Sequence, residues 1–321
     1  MDYVMGIDGG GTKTKAVIAD MSGSIIATSA AGPTNPNTVS KDQLKQTLES
    51  LFLSLEVTSD VSLKHVKSLF AGISGAGNET NRNDLKELME PFMPGNTSIQ
   101  IEADPVNALY SGTYGSPGVV QISGTGSITY GINRHLKHDR IGGWGYLFGD
   151  EGSGYDIGRQ AIISALKSVD GRGPETMMLS MIYTHFAVSD AQSLIRKIYA
   201  ASIPKNAISP IAEIVFEAYQ QQDNQANAIL QQAAKEMAVS IESLYEKLFE
   251  PGEQINVVLC GGVFSEKDVL PAFIRQELTH YPALNVTVPE LSPVGGSIIG
   301  AYLIENKAVD NSVINNIIKT I

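Results

Sequence analysis

Asp8-Gly9-Gly10-Gly11-Thr12-Lys13 lies between an apolar run (Tyr3, Val4, Met5, Ile7) and an alternating one (Lys15, Ala16, Val17, Ile18, Ala19). The three pieces read as strand, tight glycine turn and second strand. Such a turn is built to hold phosphate. Adjacent glycines (Gly10, Gly11) let backbone N–H groups approach an anion, Thr12 adds a hydroxyl, and a carboxylate ending the first strand reaches a magnesium ion on the phosphates. One such loop is a weak motif; what strengthens it is recurrence. Val119 to Ile122 leads into Ser123-Gly124-Thr125-Gly126-Ser127, and Ile128 to Ile132 leads out. The chain carries the same hairpin device twice.

Working outward, 321 residues exceed the size at which one core stops growing, so two domains are expected. We place the boundary near Ser116-Pro117-Gly118, giving units 1–117 and 118–321, with the amphipathic segment Val309 to Ile321 free to pack on either. Lys plus Arg is 23, Asp plus Glu is 34 and the net charge is −11, which opposes binding to nucleic acid or anionic membrane. An anionic ligand must therefore be held by local donors. A single cysteine, Cys260, excludes an intrachain disulfide and fits a reducing compartment. The first residues lack a basic segment followed by an apolar one, and no run approaches a membrane span, so a cytoplasmic protein is expected.

The first half alternates strands and helices. A third strand, Ile25 to Ser29, follows the opening hairpin; Lys41 to Leu55 repeats leucine at helical spacing; Leu69 to Ile73 is a short buried strand; Asn83 to Met93 is a helix; and Ile99 to Ile101 is a strand stopping at Asp104. The second half is more helical, with helices expected over Tyr155 to Leu166, Ile208 to Gln222 and from Asn224 to Leu248. Strands Val257 to Leu259 and Val286 to Val288 follow, and Pro293 opens a helix through Leu303. The pattern predicts α/β mixed sheets with helices on their faces.

The motifs Gly6-Ile7-Asp8-Gly9-Gly10-Gly11-Thr12-Lys13, Ile122-Ser123-Gly124-Thr125-Gly126-Ser127, Gly142-Gly143-Trp144-Gly145, Gly149-Asp150-Glu151-Gly152-Ser153 and Cys260-Gly261-Gly262-Val263-Phe264 occur in that order over nearly the whole chain. They resemble the N-acetylglucosamine kinase branch of the BadF/BadG/BcrA/BcrD-type ATPase family, within the actin, sugar kinase and heat-shock ATPase superfamily. The resemblance implies two ribonuclease-H-like lobes, each a mixed five-stranded sheet with helices, nucleotide and sugar bound in the cleft between them, and a homodimer. It also implies ATP and Mg2+ as cofactors, an amino sugar as acceptor, and Asp104 as catalytic base.

Each residue has a plainer reading beside the functional one. Asp104 before Pro105 is a favoured helix cap, and a cap carboxylate keeps one oxygen free for a proton. Lys13 reads equally as a phosphate ligand or a solvated side chain. The resemblance carries sugar contacts onto Asn35, Ser74, Gly75, Asp104, Ser123, Gly124, Trp144, Gly145 and Asp150. Asn35 beside Pro36 also reads as a turn residue, Trp144 as core, and Asp150 with Glu151 as charges at a helix start. Alongside Asp8, Gly10, Gly11, Thr12, Lys13, Gly124, Thr125 and Gly126 for the phosphates, Gly261, Gly262 and Gly295 are expected at the adenosine, with helix–sheet packing as the alternative.

Three rival readings stand beside this one. Activators of radical dehydratases in the same family bind an iron–sulfur cluster with two cysteines per subunit, and the regulator-type sugar kinases carry a cysteine zinc site; Cys260 stands alone. A nucleotide-dependent sugar sensor survives on fold alone, but has no need of a base beside the hydroxyl. The expected activity is transfer of the γ-phosphoryl of ATP to the 6-hydroxyl of N-acetylglucosamine. Glucosamine and N-acetylmuramic acid stay open as acceptors, as does position 1.

Overall fold

The computed structural model describes residues 2–58, 62–306 and 308–321. The chain divides into two compact units, residues 1–117 with 289–321 and residues 118–288.

In the first unit, β1 (Tyr3–Gly9), β2 (Thr14–Asp20) and β3 (Ile25–Ala31) form an antiparallel meander. β4 (Val66–Ile73) and β5 (Ser98–Ala103) then add in parallel on the other side of β1, for the order β3-β2-β1-β4-β5. On one face, α1 (Lys41–Thr58) buries Leu44, Leu48, Leu51 and Leu55, as its leucine spacing predicts, and α2 (Glu79–Met89) adds Leu85 and Met89. α2 starts four residues before the expected Asn83, because the Asn78 side chain accepts from Asn81 N and caps it; Pro91 falls in a 3-10 turn after the helix.

The other face carries α3 (Pro105–Thr113) and α11 (Pro293–Glu305), and α11 corrects the expected second unit ending at 321. Its small residues bring it close to this sheet. A Cβ on Gly6 would fall 2.4 Å from Ser297 Oγ, one on Gly300 would fall 2.6 Å from the Phe70 ring, and one on Gly296 would fall 1.9 Å from the carbonyl oxygen of Asn107. The closing helix α12 (Asn311–Thr320) also packs here: Asn316 Nδ2 donates to Ser22 O at 2.8 Å and Thr320 Oγ1 accepts from Ile25 N at 3.0 Å.

The second unit repeats the plan. β6 (Gly118–Ser123), β7 (Ser127–Ile132) and β8 (His138–Gly142) form the meander, and β9 (Ile255–Cys260) and β10 (Leu284–Thr287) extend it in parallel, for the order β10-β9-β6-β7-β8. β8 escaped the sequence reading because His138-Asp139-Arg140-Ile141-Gly142 shows neither alternation nor an apolar run. α4 (Gly154–Val169), α8 (Ile211–Gln220) and the 25-residue α9 (Asn224–Leu248) build the core with Ile157, Val215, Met237, Ile241 and Leu244. Three shorter helices, α5 (Met178–Phe186), α6 (Ala191–Tyr199) and α7 (Pro204–Ile208), fill the stretch for which no element was expected, and α10 (Leu270–Glu277) covers β10.

Candidate active site

In a parallel region of a sheet, ligands bind beyond the carboxyl ends of the strands, and in the first unit three such ends lie side by side. Gly9 pairs with Ile73 and Ile73 with Ala103, so the residues that follow, Gly10, Ser74 and Asp104, leave the sheet together, with Asp8 one step earlier. Asp104 begins α3 in helical conformation and its side chain makes no capping bond; Pro105 needs no N–H partner. The plain cap reading therefore fails, and the carboxylate is left for other work. Its pKa is pushed up to about 6, first by burial and then by the charge of Asp8, against a lowering from a backbone hydrogen bond. Burial also raises Asp8, while Asn107 and Lys15 pull it down.

Asn107, which the sequence reading passed over, joins these pieces. Fully buried on α3, its Nδ2 donates to Asp8 Oδ1 at 2.8 Å, to Gly72 O at 3.0 Å and to Ile7 O at 3.2 Å. A Cβ on Gly72 would fall 2.3 Å from Asn107 Oδ1, so a bare backbone at 72 is needed to admit the amide. The available signal was position: Asn107 sits three residues after Asp104 in the first turn of α3, where the helix meets the sheet.

Of the expected sugar residues, the structure brings Asn35, Ser74 and Gly75 together. Asn35 Nδ2 lies 3.4 Å from Ser74 Oγ, Ser74 N donates to Gly9 O at 2.7 Å, and a Cβ on the left-handed Gly75 would fall 2.4 Å from Asn35 Oδ1. Asn35 is also a turn residue, since its Oδ1 accepts from Asn37 N at 2.9 Å. The first glycine turn closes through Gly10 N to Lys13 O at 3.0 Å, leaving Gly11, Thr12 and Lys13 exposed.

In the second unit, Ile122 pairs with Cys260, so the Gly124–Gly126 turn and Gly261-Gly262 emerge from neighbouring strand ends. A cavity of about 390 Å³ opens there, lined by Gly124, Thr125, Ser209, Glu213, Phe216 and Gly262 among others. Its volume falls within the range of small-molecule sites. Ser209, between α7 and α8, and Glu213 and Phe216 on α8 had no motif to mark them.

The glycines separate into two kinds. Gly261 has φ +109° and its Cβ would fall 2.2 Å from Ser123 O, so the fold itself requires it. Gly295 lies buried in α11, where a Cβ would fall 3.0 Å from Ile321 Cδ1 and 3.1 Å from Leu291, so close packing within the first unit uses its bareness. Gly11, Gly124 and Gly262 differ: a Cβ on each would meet nothing within 4 Å, and none is left-handed. The fold does not need them to be glycine, and what their bareness preserves is open space at both turns and the cavity.

Some of the expected site residues have partners within the second unit. Ser123 is fully buried and donates its hydroxyl to Gly152 O at 2.5 Å, locking β6 to the loop before α4. Asp150, left-handed at φ +67° and 4% exposed, accepts from Ser127 N at 3.3 Å and from Lys205 Nζ at 3.0 Å. The helix start is capped instead by Ser153, whose Oγ accepts from Asp156 N at 3.1 Å. Trp144 is not core: it is 69% exposed on a loop with the left-handed glycines Gly142, Gly143 and Gly145. Arg140 lies 4.3 Å over its ring and donates Nη1 to Gly142 O at 2.6 Å.

Among the described residues no helix is long and apolar enough to cross a membrane, and no group of three or more His, Cys, Asp or Glu is placed to hold a metal ion. A model of the BadF/BadG/BcrA/BcrD ATPase family matches residues 5–304. An N-acetylmuramic acid/N-acetylglucosamine kinase of Clostridium acetobutylicum is 32% identical over 97% of this chain and 100% of its own. An N-acetyl-D-glucosamine kinase of Dictyostelium discoideum is 30% identical over 93% of this chain and 97% of its own. A solved structure from Chromobacterium violaceum superposes with TM-score 0.72 at 23% identity, covering 93% of this chain and 98% of that one, a likeness of fold.

Proposed function

The chain belongs to the BadF/BadG/BcrA/BcrD ATPase family, and on that footing we propose that it is an ATP-dependent kinase of N-acetylglucosamine, making N-acetylglucosamine 6-phosphate and ADP. The observation that carries the reading is Asp104: a carboxylate at a strand end, free of capping duty, whose pKa of about 6 leaves it ionised at neutral pH and yet basic enough to take a proton. In the proposed reaction the sugar 6-hydroxyl gives its proton to Asp104 as its oxygen bonds to the γ-phosphorus, and the bond from that phosphorus to the β,γ-bridging oxygen breaks, releasing ADP. Such transfer gains most from positioning and charge neutralisation, so the base mainly aims the nucleophile.

The remaining assignments follow from chemistry. Backbone N–H groups of Gly11 to Lys13 and of Thr125 and Gly126 are proposed to hold phosphate oxygens, with Gly262 and its cavity taking the nucleoside. Asn35, Ser74, Gly75, Trp144 and Gly145 are proposed to contact the sugar. Burial raises both Asp8 and Asp104, and the charge of Asp8 raises Asp104 further, so added positive charge is favourable here, which fits Mg2+ held through water by the second oxygen of Asp8. When bound, that ion neutralises phosphate charge. A homodimer in the cytoplasm completes the proposal.

The relative from Clostridium acetobutylicum has two acceptors in its name, so N-acetylmuramic acid is a second acceptor to be measured beside the first. The test is ADP release with N-acetylglucosamine, N-acetylmuramic acid, glucosamine and glucose, with the phosphorylated position read by 31P-coupled NMR. Stimulation by N-acetylglucosamine with phosphate at position 6 supports the reading; ATP binding without sugar-stimulated ADP release makes the protein a sensor.

A further inference from the structure

Asp150 poses a problem for a turn meant to receive phosphate. Its Oδ2 lies 3.0 Å from where a Cβ of Gly126 would stand, and at 4% exposure water does little to screen its charge. A lone carboxylate there would repel the nucleotide. The group that answers it is Lys205, delivered by α7 from a segment in which the sequence showed no motif. Its Nζ donates to Asp150 Oδ2 at 3.0 Å and stands 3.2 Å from the same Cβ position of Gly126, directly over the glycine turn.

Three features make this more than a structural ion pair. The ammonium has three donors, and only the one on Asp150 meets a hydrogen-bond acceptor among the described residues. The lysine side chain keeps 21% of its surface open while Asp150 keeps 5%, so the cation is the accessible half of the pair. The Tyr146 ring, 5.7 Å away, adds a second electron-rich neighbour and limits where the long side chain swings.

We propose that Lys205 is a catalytic residue that bridges Asp150 and a phosphoryl oxygen of the nucleotide held at the Gly124–Ser127 turn. This rests on reading that turn as a phosphate site. It supplies the local donor that a chain of net charge −11 requires for an anionic ligand.

The experiment compares Asp150→Asn with the double variant Asp150→Asn/Lys205→Met, so that no orphan carboxylate is left by removing the lysine. Calorimetric titration with AMPPNP and with adenosine is the readout, and thermal unfolding confirms that both variants fold. Loss of a charge-assisted hydrogen bond predicts AMPPNP binding weaker by about tenfold or more in the double variant, with adenosine changed by less than about twofold. Lys205→Arg, which keeps the charge, recovers most of the AMPPNP affinity. Equal weakening of both ligands assigns Lys205 to the fold alone and overturns the proposal, as does unchanged AMPPNP affinity. No sugar enters the assay, so a protein that phosphorylates no sugar yet shows the AMPPNP-selective loss sinks the kinase reading and leaves this one standing.

Discussion

Replacing Asp104 with Asn should make the protein more stable and inactive together. The Asp104 pKa rises from 3.8 to about 6 on folding, with burial as the main cause. A raised carboxyl binds its proton more tightly in the folded state, so below the unfolded value both states are protonated and the site costs nothing. Stability is lost as pH rises through the interval from 3.8 to about 6, and the loss is complete above it. Two pKa units correspond to about 3 kcal/mol at most. Asn carries no charge to desolvate, so Asp104→Asn is expected to gain about 2 kcal/mol at pH 7.5, or about 5 °C in Tm, and to match the parent near pH 4. Its kcat should fall by about 10²–10⁴. In the parent protein kcat/KM should climb as pH passes about 6. Thermal unfolding at both pH values, with coupled-assay kinetics, supplies the measurements. A variant less stable than the parent at pH 7.5 would show that the carboxylate is partnered in the native state; kcat near that of the parent would move the base elsewhere.

Asp8→Asn removes the charge that is the second cause of the Asp104 elevation, so the acid limb of the kcat/KM profile should shift to lower pH; an unmoved limb means the two carboxylates do not interact. Asn107→Ala leaves the carbonyls of Ile7 and Gly72 and one Asp8 oxygen without their donor, which should cost about 2–3 kcal/mol in thermal unfolding. Gly262→Leu should leave Tm within about 2 °C, because its Cβ enters open space, yet abolish adenosine binding by calorimetry. Gly296→Ala should destabilise by about 3 kcal/mol or more, because its Cβ would fall 1.9 Å from the carbonyl oxygen of Asn107.

Much of the fold was legible because it is written in local periodicity. The leucine stripe of α1 and the apolar face of α9 repeat at helical spacing, and the two glycine hairpins interrupt alternating runs, so the elements and their duplication follow from neighbours in sequence. β8 and the helices between residues 178 and 208 were missed because their patterns are short and half-buried. α11 was placed in the second unit, and α12 in neither, because an apolar, small-residue helix such as α11 fits many surfaces. Only Gly6, Phe70 and Asn107, all distant in sequence, select this one.

From sequence alone came the paired turns, the strand ends and the candidate carboxylates Asp8 and Asp104, since residue type and position along one element carry that information. Tertiary structure alone decided which glycines guard empty space and which relieve a clash, that Ser123 and Asp150 are occupied within the second unit, and that Asn107 and Lys205 complete the charges beside them. The physical reason is that burial, open volume and hydrogen-bond partnership belong to pairs of groups brought together by folding, and no single stretch of chain contains both members.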